Sequence, residues 1–181
     1  SREDVLREIR RLVEETKKEN EKILERLRRL VRTVERRNDE VVKKVRTLVK
    51  RLEEEIDKTV KDKDKVEKLR RELDKIRRKL EELARRSKED LKRILEEVDR
   101  LSEEDKRKND RVLEEAKKAI DNDVDLDELL RKLKEDLDRS KEELKEIEKR
   151  VRELLERNKR KTEEVEKEVK RDLDDIRRKL K

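Results

Sequence analysis

Nine polar side chains stand where the apolar pattern of this chain would otherwise place hydrophobic residues. They are Thr16, Asn20, Asn38, Ser87, Asp105, Asn109, Ser140, Asn158 and Thr162. One of them, Asp105, carries a titratable group. A carboxyl group buried among amides and hydroxyls has a raised pKa and can act as a general acid or base. A catalytic or binding hypothesis for this chain would therefore start from Asp105.

The partners that such catalysis needs are missing from the composition. The chain has no His, Cys, Met, Gly, Pro or aromatic residue. It therefore offers no imidazole base, no thiol nucleophile and no Gly-rich phosphate loop. We expect no enzymatic activity, no catalytic residue and no cofactor. The nine polar residues are interpreted as a structural polar core, although Asp105 could instead turn toward solvent or a surface Lys.

An Asp-rich segment that begins at Asp121 resembles a calcium loop. Such loops need Gly at the sixth position and Glu at the twelfth. Counted from Asp121, these positions hold Leu126 and Lys132, and counted from Asp123 the twelfth is Lys134. The segment is therefore predicted to be a turn and a helix cap, and we expect no metal site.

The elements that position the polar residues are predicted by an apolar repeat of 18 residues, for example Ile9, Leu27 and Val45. Eighteen residues make about five helical turns, so each set stays on one helix face. The phase of the repeat is reset twice. We therefore predict an all-α protein, an antiparallel three-helix bundle of long, nearly straight helices in a single domain, residues 1–181. The predicted helices span about 1–61, 64–121 and 125–180, the longest about 90 Å at 1.5 Å per residue.

Helix starts are predicted at the two resets. Asp64 is followed by Glu67, and Asp125 is followed by Glu128. An N-cap with Glu three residues later is typical of a capping box. Both pairs therefore favour a short turn just before them.

A rival segmentation uses three serines as N-caps. Ser87, Ser102 and Ser140 are each followed by acidic residues, and breaks there would give five or six short helices. The apolar phase passes through all three serines without a shift, which favours unbroken helices.

The levels of the polar residues follow from the turn positions. With turns near 62.5 and 122.5, residues at equal height have numbers that total about 125 for the first two helices and about 245 for the last two. Asn38, Ser87 and Asn158 satisfy both conditions, with totals of 125 and 245. We call these three residues the amide–hydroxyl layer.

A second layer is predicted by the same arithmetic. Asn20 with Asp105 and Thr16 with Asn109 both total 125, and Asp105 with Ser140 totals 245. We call these five residues the carboxylate layer. Because an unpaired buried polar group costs about 1 to 3 kcal/mol, grouping them lets donors find acceptors and penalises shifted helix registers.

The charge of the chain raises the question of a nucleic-acid partner. The net charge is +7. Lys and Arg number 20 in each of the ranges 1–61, 64–121 and 122–181, against 15, 18 and 20 acidic residues. Interleaved charges without aromatic side chains are typical of a solvated helix surface. We expect no specific nucleic-acid binding, while nonspecific attraction at low salt stays open.

Other partners are considered from the apolar residues. No apolar run is long enough to span a membrane, so we expect a soluble chain without a membrane partner. We expect a monomer that requires no partner. The alternative is a helix-mediated protein-binding or self-associating module, which an exposed apolar patch beside Val13, Val31 and Val49 would favour.

Over essentially all 181 residues, the chain resembles computationally designed, parametrically generated three-helix bundles with buried hydrogen-bond networks. The resemblance rests on the regular repeat, the Leu, Ile and Val core, the polar layers and the Lys, Arg and Glu surface. It implies a hyperstable scaffold without natural activity. From burial of the many apolar side chains we expect reversible or incomplete thermal melting. Many designed loops contain Gly, which these loops lack.

Overall fold

Three long helices make up the protein. A computed structural model describes residues 1–180, and the chain is 94% helical. The helices are α1 (Arg2–Thr59), α2 (Lys63–Asp121) and α3 (Leu126–Arg178). They pack against each other, and the described part of the chain contains no strand. The predicted all-α three-helix bundle is confirmed, and the rival break points at the three serines are wrong because all three lie inside helices.

Ion pairs show that the first two helices run antiparallel. Arg70 of α2 pairs with Asp57 of α1. Farther along, Lys88 of α2 pairs with Asp39 of α1. The residue number falls in one helix as it rises in the other, as expected for helices joined by a short turn.

The two later helices start with Asp caps, and one differs from the prediction. Asp62, not Asp64, caps α2, since Asp62 Oδ1 accepts a hydrogen bond from the Asp64 N–H at 3.1 Å. The sequence Asp62-Lys63-Asp64 offers two possible caps only two residues apart, so the pattern alone does not separate them. At α3 the predicted cap is confirmed: Asp125 Oδ1 accepts from the Asp127 N–H at 3.1 Å and the Glu128 N–H at 3.4 Å.

The chain forms two compact units, and each contains part of every helix. Unit 1 comprises Ser1–Leu30 and Ile94–Glu153, and unit 2 comprises Val31–Arg93 and Leu154–Lys181. The predicted single-domain organisation stays a prediction.

Each unit has its own apolar core. The buried core of unit 1 contains Ile9, Val13, Ala116, Ile120, Leu133 and Leu137. The core of unit 2 contains Val42, Val45, Val49, Leu52, Ile56, Leu69, Leu73, Ile76, Leu80, Val169, Leu173 and Ile176. Full burial of such a side chain contributes about 1.5 to 3 kcal/mol, so the apolar faces hold the helices in place around the polar residues.

Candidate functional site

The amide–hydroxyl layer takes one residue from each helix of unit 2. Asn38 Nδ2 donates to Ser87 Oγ at 2.8 Å and to Asn158 Oδ1 at 2.7 Å. All three residues are buried, with at most 7% of their surface exposed. One amide group therefore uses both of its protons to join α1 to α2 and α3.

Further hydrogen bonds close this layer. Ser87 Oγ donates to Asn158 Oδ1 at 3.4 Å, and Asn158 Nδ2 donates to the Ser87 carbonyl oxygen at 3.4 Å. The layer contains no titratable group, and none of its side-chain polar atoms is buried without a partner. Its chemistry is therefore that of a neutral, internally satisfied network.

The carboxylate layer of unit 1 is centred on Asp105. Asn20 Nδ2 donates to Asp105 Oδ1 at 2.8 Å, and Asn109 Nδ2 donates to Asp105 Oδ2 at 3.3 Å. Asn20 and Asn109 are fully buried, whereas Asp105 is half-buried. These bonds join α1 to α2 and stabilise one turn within α2.

The environment of Asp105 changes its acidity. Burial raises the pKa of Asp105, and this effect outweighs the hydrogen bond from Asn20 and the positive charges of Lys108 and Lys17, which lower it. Loss of hydration disfavours the charged form of a carboxyl group. The half-buried Asp105 side chain thus contacts both the core and the solvent, whereas the sequence analysis considered these two orientations as alternatives.

One oxygen in the carboxylate layer has no partner. Within residues 1–180, Asn20 Oδ1 is the buried side-chain atom without a hydrogen bond. The Asp105 carboxylate can only accept, so it takes the amide proton of Asn20 and has nothing to give to the oxygen. An unsatisfied buried acceptor costs about 1 to 3 kcal/mol. This layer is therefore less well matched than the amide–hydroxyl layer.

Two predicted polar residues bond within their own helices. Thr16 Oγ1 donates to the Leu12 carbonyl oxygen at 2.8 Å, and Thr162 Oγ1 donates to the Asn158 carbonyl oxygen at 3.2 Å. Both threonines are 1% exposed. A threonine hydroxyl reaches the carbonyl one turn earlier, so these side chains are satisfied without a hydrogen bond to another helix.

Two serines at inward positions differ from the prediction: Ser140 does not join the carboxylate layer, and Ser102 is buried although it was not predicted. Ser140 is half-buried and lines a surface groove of about 280 Å³ together with Asn109. Among residues 1–180, no hydrogen bond joins Ser140 to Asn20, Asp105 or Asn109. Ser102, which is absent from the predicted set, is buried. Its place in the apolar phase of α2 was the signal that could have identified it.

The Asp-rich segment after α2 forms the connection to α3. Asp123 Oδ1 accepts a hydrogen bond from Arg2 Nη2 at 2.6 Å, and Asp125 caps α3. In the described part of the chain, no group of three or more His, Cys, Asp or Glu residues is arranged to hold a metal ion. No helix among residues 1–180 is both long enough and apolar enough to cross a membrane.

The described residues define an all-α three-helix bundle with hydrogen-bonded polar side chains in its core. Comparison of the chain with protein-family models, curated proteins and solved structures finds no match. A function has to be inferred from the residues themselves.

Proposed function

We propose that the chain is a designed structural scaffold without a natural biochemical activity, in which buried polar residues set the helix register. The observation that carries this proposal is the position of Asn38, which donates to both Ser87 and Asn158 from the centre of a closed network. The role of such a network is to define one alignment of helices whose other core positions are nearly all Leu, Ile and Val.

The energetic argument concerns a shift of one helix along its neighbour. A one-turn shift moves a side chain by about 5.4 Å, farther than a hydrogen bond extends. The shifted arrangement would set Asn38 against apolar side chains and leave its partners unpaired. Each unpaired buried group costs about 1 to 3 kcal/mol, whereas an apolar side chain finds similar neighbours at either position. The layer therefore disfavours shifted registers selectively.

The test removes the network as a whole. The variant N38L/S87V/N158L should keep its helical content by circular dichroism, because the new residues are apolar and no partner is left unpaired. It should lose alignment, seen as added oligomeric species in light scattering and as reduced dispersion of amide NMR signals. An unchanged oligomeric state and unchanged dispersion would contradict the register role.

A matched control changes three apolar residues of the same unit. Leu52, Leu73 and Leu173 are buried in the core of unit 2. The variant L52I/L73I/L173I keeps the side-chain volume, at a cost of less than about 1.5 kcal/mol for each swap. It should keep the oligomeric state and the dispersion of the unmodified protein. A control that behaves like the network variant would assign the effect to general core disturbance.

A helix-mediated binding or self-associating module remains the second candidate. Val13, Val31 and Val49, where an exposed patch would have favoured it, are each 1% exposed. Leu154 is 41% exposed and is the observation in its favour. Isolated exposed apolar residues are common on monomers, so the scaffold proposal includes a monomeric state without a required partner. Mass measurement by light scattering over a range of concentrations tests this state.

A further inference from the structure

The two units carry opposite net charges. Unit 2 has 35 Lys or Arg and 24 Asp or Glu, a net charge of +11. Unit 1 has 26 Lys or Arg and 30 Asp or Glu, a net charge of −4. A count along each helix hides this difference, because each unit takes one stretch from every helix. The basic character of the chain therefore belongs to unit 2.

The longest stretch of unit 2 without an acidic residue lies on α1. No acidic residue occurs between Glu40 and Glu53. The exposed positions of this stretch are Lys43, Lys44, Arg46, Thr47, Lys50 and Arg51. Five of these six side chains are positively charged. We call these six residues the basic face.

The helix arranges four of these cations in two rows. Lys43 and Lys50 form one row, and Lys44 and Arg51 form the other. Residues seven apart lie about two turns, or roughly 10.5 Å, from each other on the same side of a helix. The opposite side of this stretch is fixed in the core of unit 2 through buried Val45, among others. The basic face is therefore held toward solvent.

Most of these cations have no acidic partner. Arg46 pairs with Glu81 at 2.7 Å. Among residues 1–180, no ion pair joins Lys43, Lys44, Lys50 or Arg51 to a carboxylate. The part of α1 in unit 1 differs, because acidic residues alternate with basic ones there; Arg11, for example, pairs with both Glu8 and Glu15. The basic face thus keeps its charges available for an external anion.

We propose that the basic face binds the phosphate backbone of duplex nucleic acid without sequence preference. A duplex carries about one negative charge per 1.7 Å, so several cations within about 12 Å of helix can release condensed counterions from it. A membrane surface is the weaker match. No apolar or aromatic side chain stands on the basic face to enter the acyl region, and an interfacial helix needs such residues. This inference goes beyond the scaffold role and does not depend on it.

The experiment compares two variants that lose the same number of charges. K43Q/K44Q/K50Q/R51Q neutralises the two rows. R7Q/R10Q/K18Q/K22Q neutralises four exposed cations on α1 in unit 1. Binding to a mixed-sequence duplex of about 20 base pairs is measured by fluorescence anisotropy between about 20 and 200 mM salt. Circular dichroism verifies the helical content of each variant.

The unmodified protein should bind the duplex at low salt. The basic-face variant should bind at least about tenfold more weakly, with a salt slope reduced by about 3 to 4, since each phosphate contact contributes about 0.9 to that slope. The control variant should stay within about threefold of the unmodified protein. In the opposite direction, E40Q/E54Q removes two exposed acids, one near each end of the face, and should tighten binding.

Three results would overturn the proposal. The first is no binding of the unmodified protein to the duplex at low salt. The second is an equal loss in both four-residue variants, which would mean that binding follows net charge alone. The third is binding to vesicles that contain phosphatidylserine, with the same dependence on the basic face but without duplex binding, which would assign the face to membranes.

Discussion

The two polar layers both pair buried polar side chains, but they do so with different chemical groups. In unit 2, Asn38 shares its protons between a hydroxyl and an amide oxygen, and every group is neutral. In unit 1, Asp105 accepts from two amides, and the oxygen of Asn20 is left without a partner. Three neutral groups that can both donate and accept close a network, whereas a carboxylate that only accepts leaves a neighbouring acceptor unsatisfied.

The turns between the helices also differ, because among residues 1–180 a backbone angle that has a free-energy cost occurs only in the turn of unit 1. Asp123, in the turn of unit 1, has a φ of 59°. In the described part of the chain, no residue of the turn between α1 and α2 has a positive φ. A residue with a Cβ is disfavoured in the left-handed region. Unit 1 therefore contains two features with a free-energy cost that unit 2 lacks, and substitutions in unit 1 have more stability to gain.

The largest expected effect is the loss of Asn38. N38L removes the donor of two hydrogen bonds and leaves Ser87 Oγ and Asn158 Oδ1 buried without it, so we expect destabilisation by about 2 to 4 kcal/mol. N20L should cost less, about 1 kcal/mol, because half-buried Asp105 can regain water and the unpartnered oxygen disappears. Guanidinium denaturation followed by circular dichroism measures both. Equal losses would mean that the two layers are equivalent.

The second effect is a gain of stability in unit 1. In D105N, the new amide can donate to Asn20 Oδ1, its oxygen can still accept from one neighbouring amide, and the partly desolvated charge is removed. We expect the free energy of unfolding at pH 7 to rise by about 1 to 2 kcal/mol. Guanidinium denaturation at a series of pH values measures the gain. A loss of stability at pH 7 would show that the charge of Asp105 stabilises the layer.

The gain from D105N should depend on pH. Burial raises the pKa of Asp105 in the folded state. The folded state then binds this proton more tightly than the unfolded state, so the stability contribution of Asp105 is lost as pH rises through its folded pKa. The advantage of D105N should be full above the folded pKa of Asp105 and vanish below the unfolded value near 3.9. The hydrogen bond from Arg100 lowers the pKa of Glu97, so the stability contribution of Glu97 is lost as pH falls. This loss is the same in both proteins and cancels in the difference between their free energies of unfolding.

A third, smaller effect concerns the turn of unit 1. D123G should be more stable than D123A by about 1 kcal/mol, because Gly adopts a positive φ without a Cβ clash. Both variants remove the exposed contact with Arg2, so the difference between them isolates the backbone term. Thermal or guanidinium denaturation measures this difference. Equal stability of the two variants would mean that the turn relaxes to another conformation.

Much of this structure follows from periodicity, and the exceptions have physical reasons. The phase of the apolar repeat predicted three helices, and the turn positions predicted the level shared by Asn38, Ser87 and Asn158. Periodicity places a side chain on a face but does not say which acceptor it uses. Thr16 and Thr162 therefore stood at inward positions while their hydroxyls bond to their own helices.

Two further features required the folded arrangement. The difference in net charge between the units emerges only when stretches of all three helices are grouped as they pack. The unpartnered oxygen of Asn20 depends on the orientation of one amide toward Asp105, which spacing does not determine. Sequence thus predicts the level of a polar residue better than the completeness of its hydrogen bonds.

The smallest expected effect compares one ion pair from each unit, both between α1 and α2. Arg28 of unit 1 donates through Nε to Asp99 at 2.8 Å, and this bond raises the pKa of Arg28. Arg46 of unit 2 donates through Nε and Nη2 to Glu81 at 2.8 and 2.9 Å. The side chain of Arg28 is 21% exposed and that of Arg46 is 52% exposed. Arg46 has the more favourable two-point geometry, whereas Arg28 is better shielded from solvent.

Shielding should decide this comparison, since exposed pairs contribute at most about 1 kcal/mol and are screened by salt. We expect R28Q to cost about 1 kcal/mol and R46Q about 0.5 kcal/mol or less. In urea denaturation, added NaCl should abolish the effect of R46Q and reduce that of R28Q only in part. A larger loss for R46Q would mean that two-point geometry outweighs burial. In that case the Arg46–Glu81 pair would stabilise unit 2 while it neutralises one cation of the basic face.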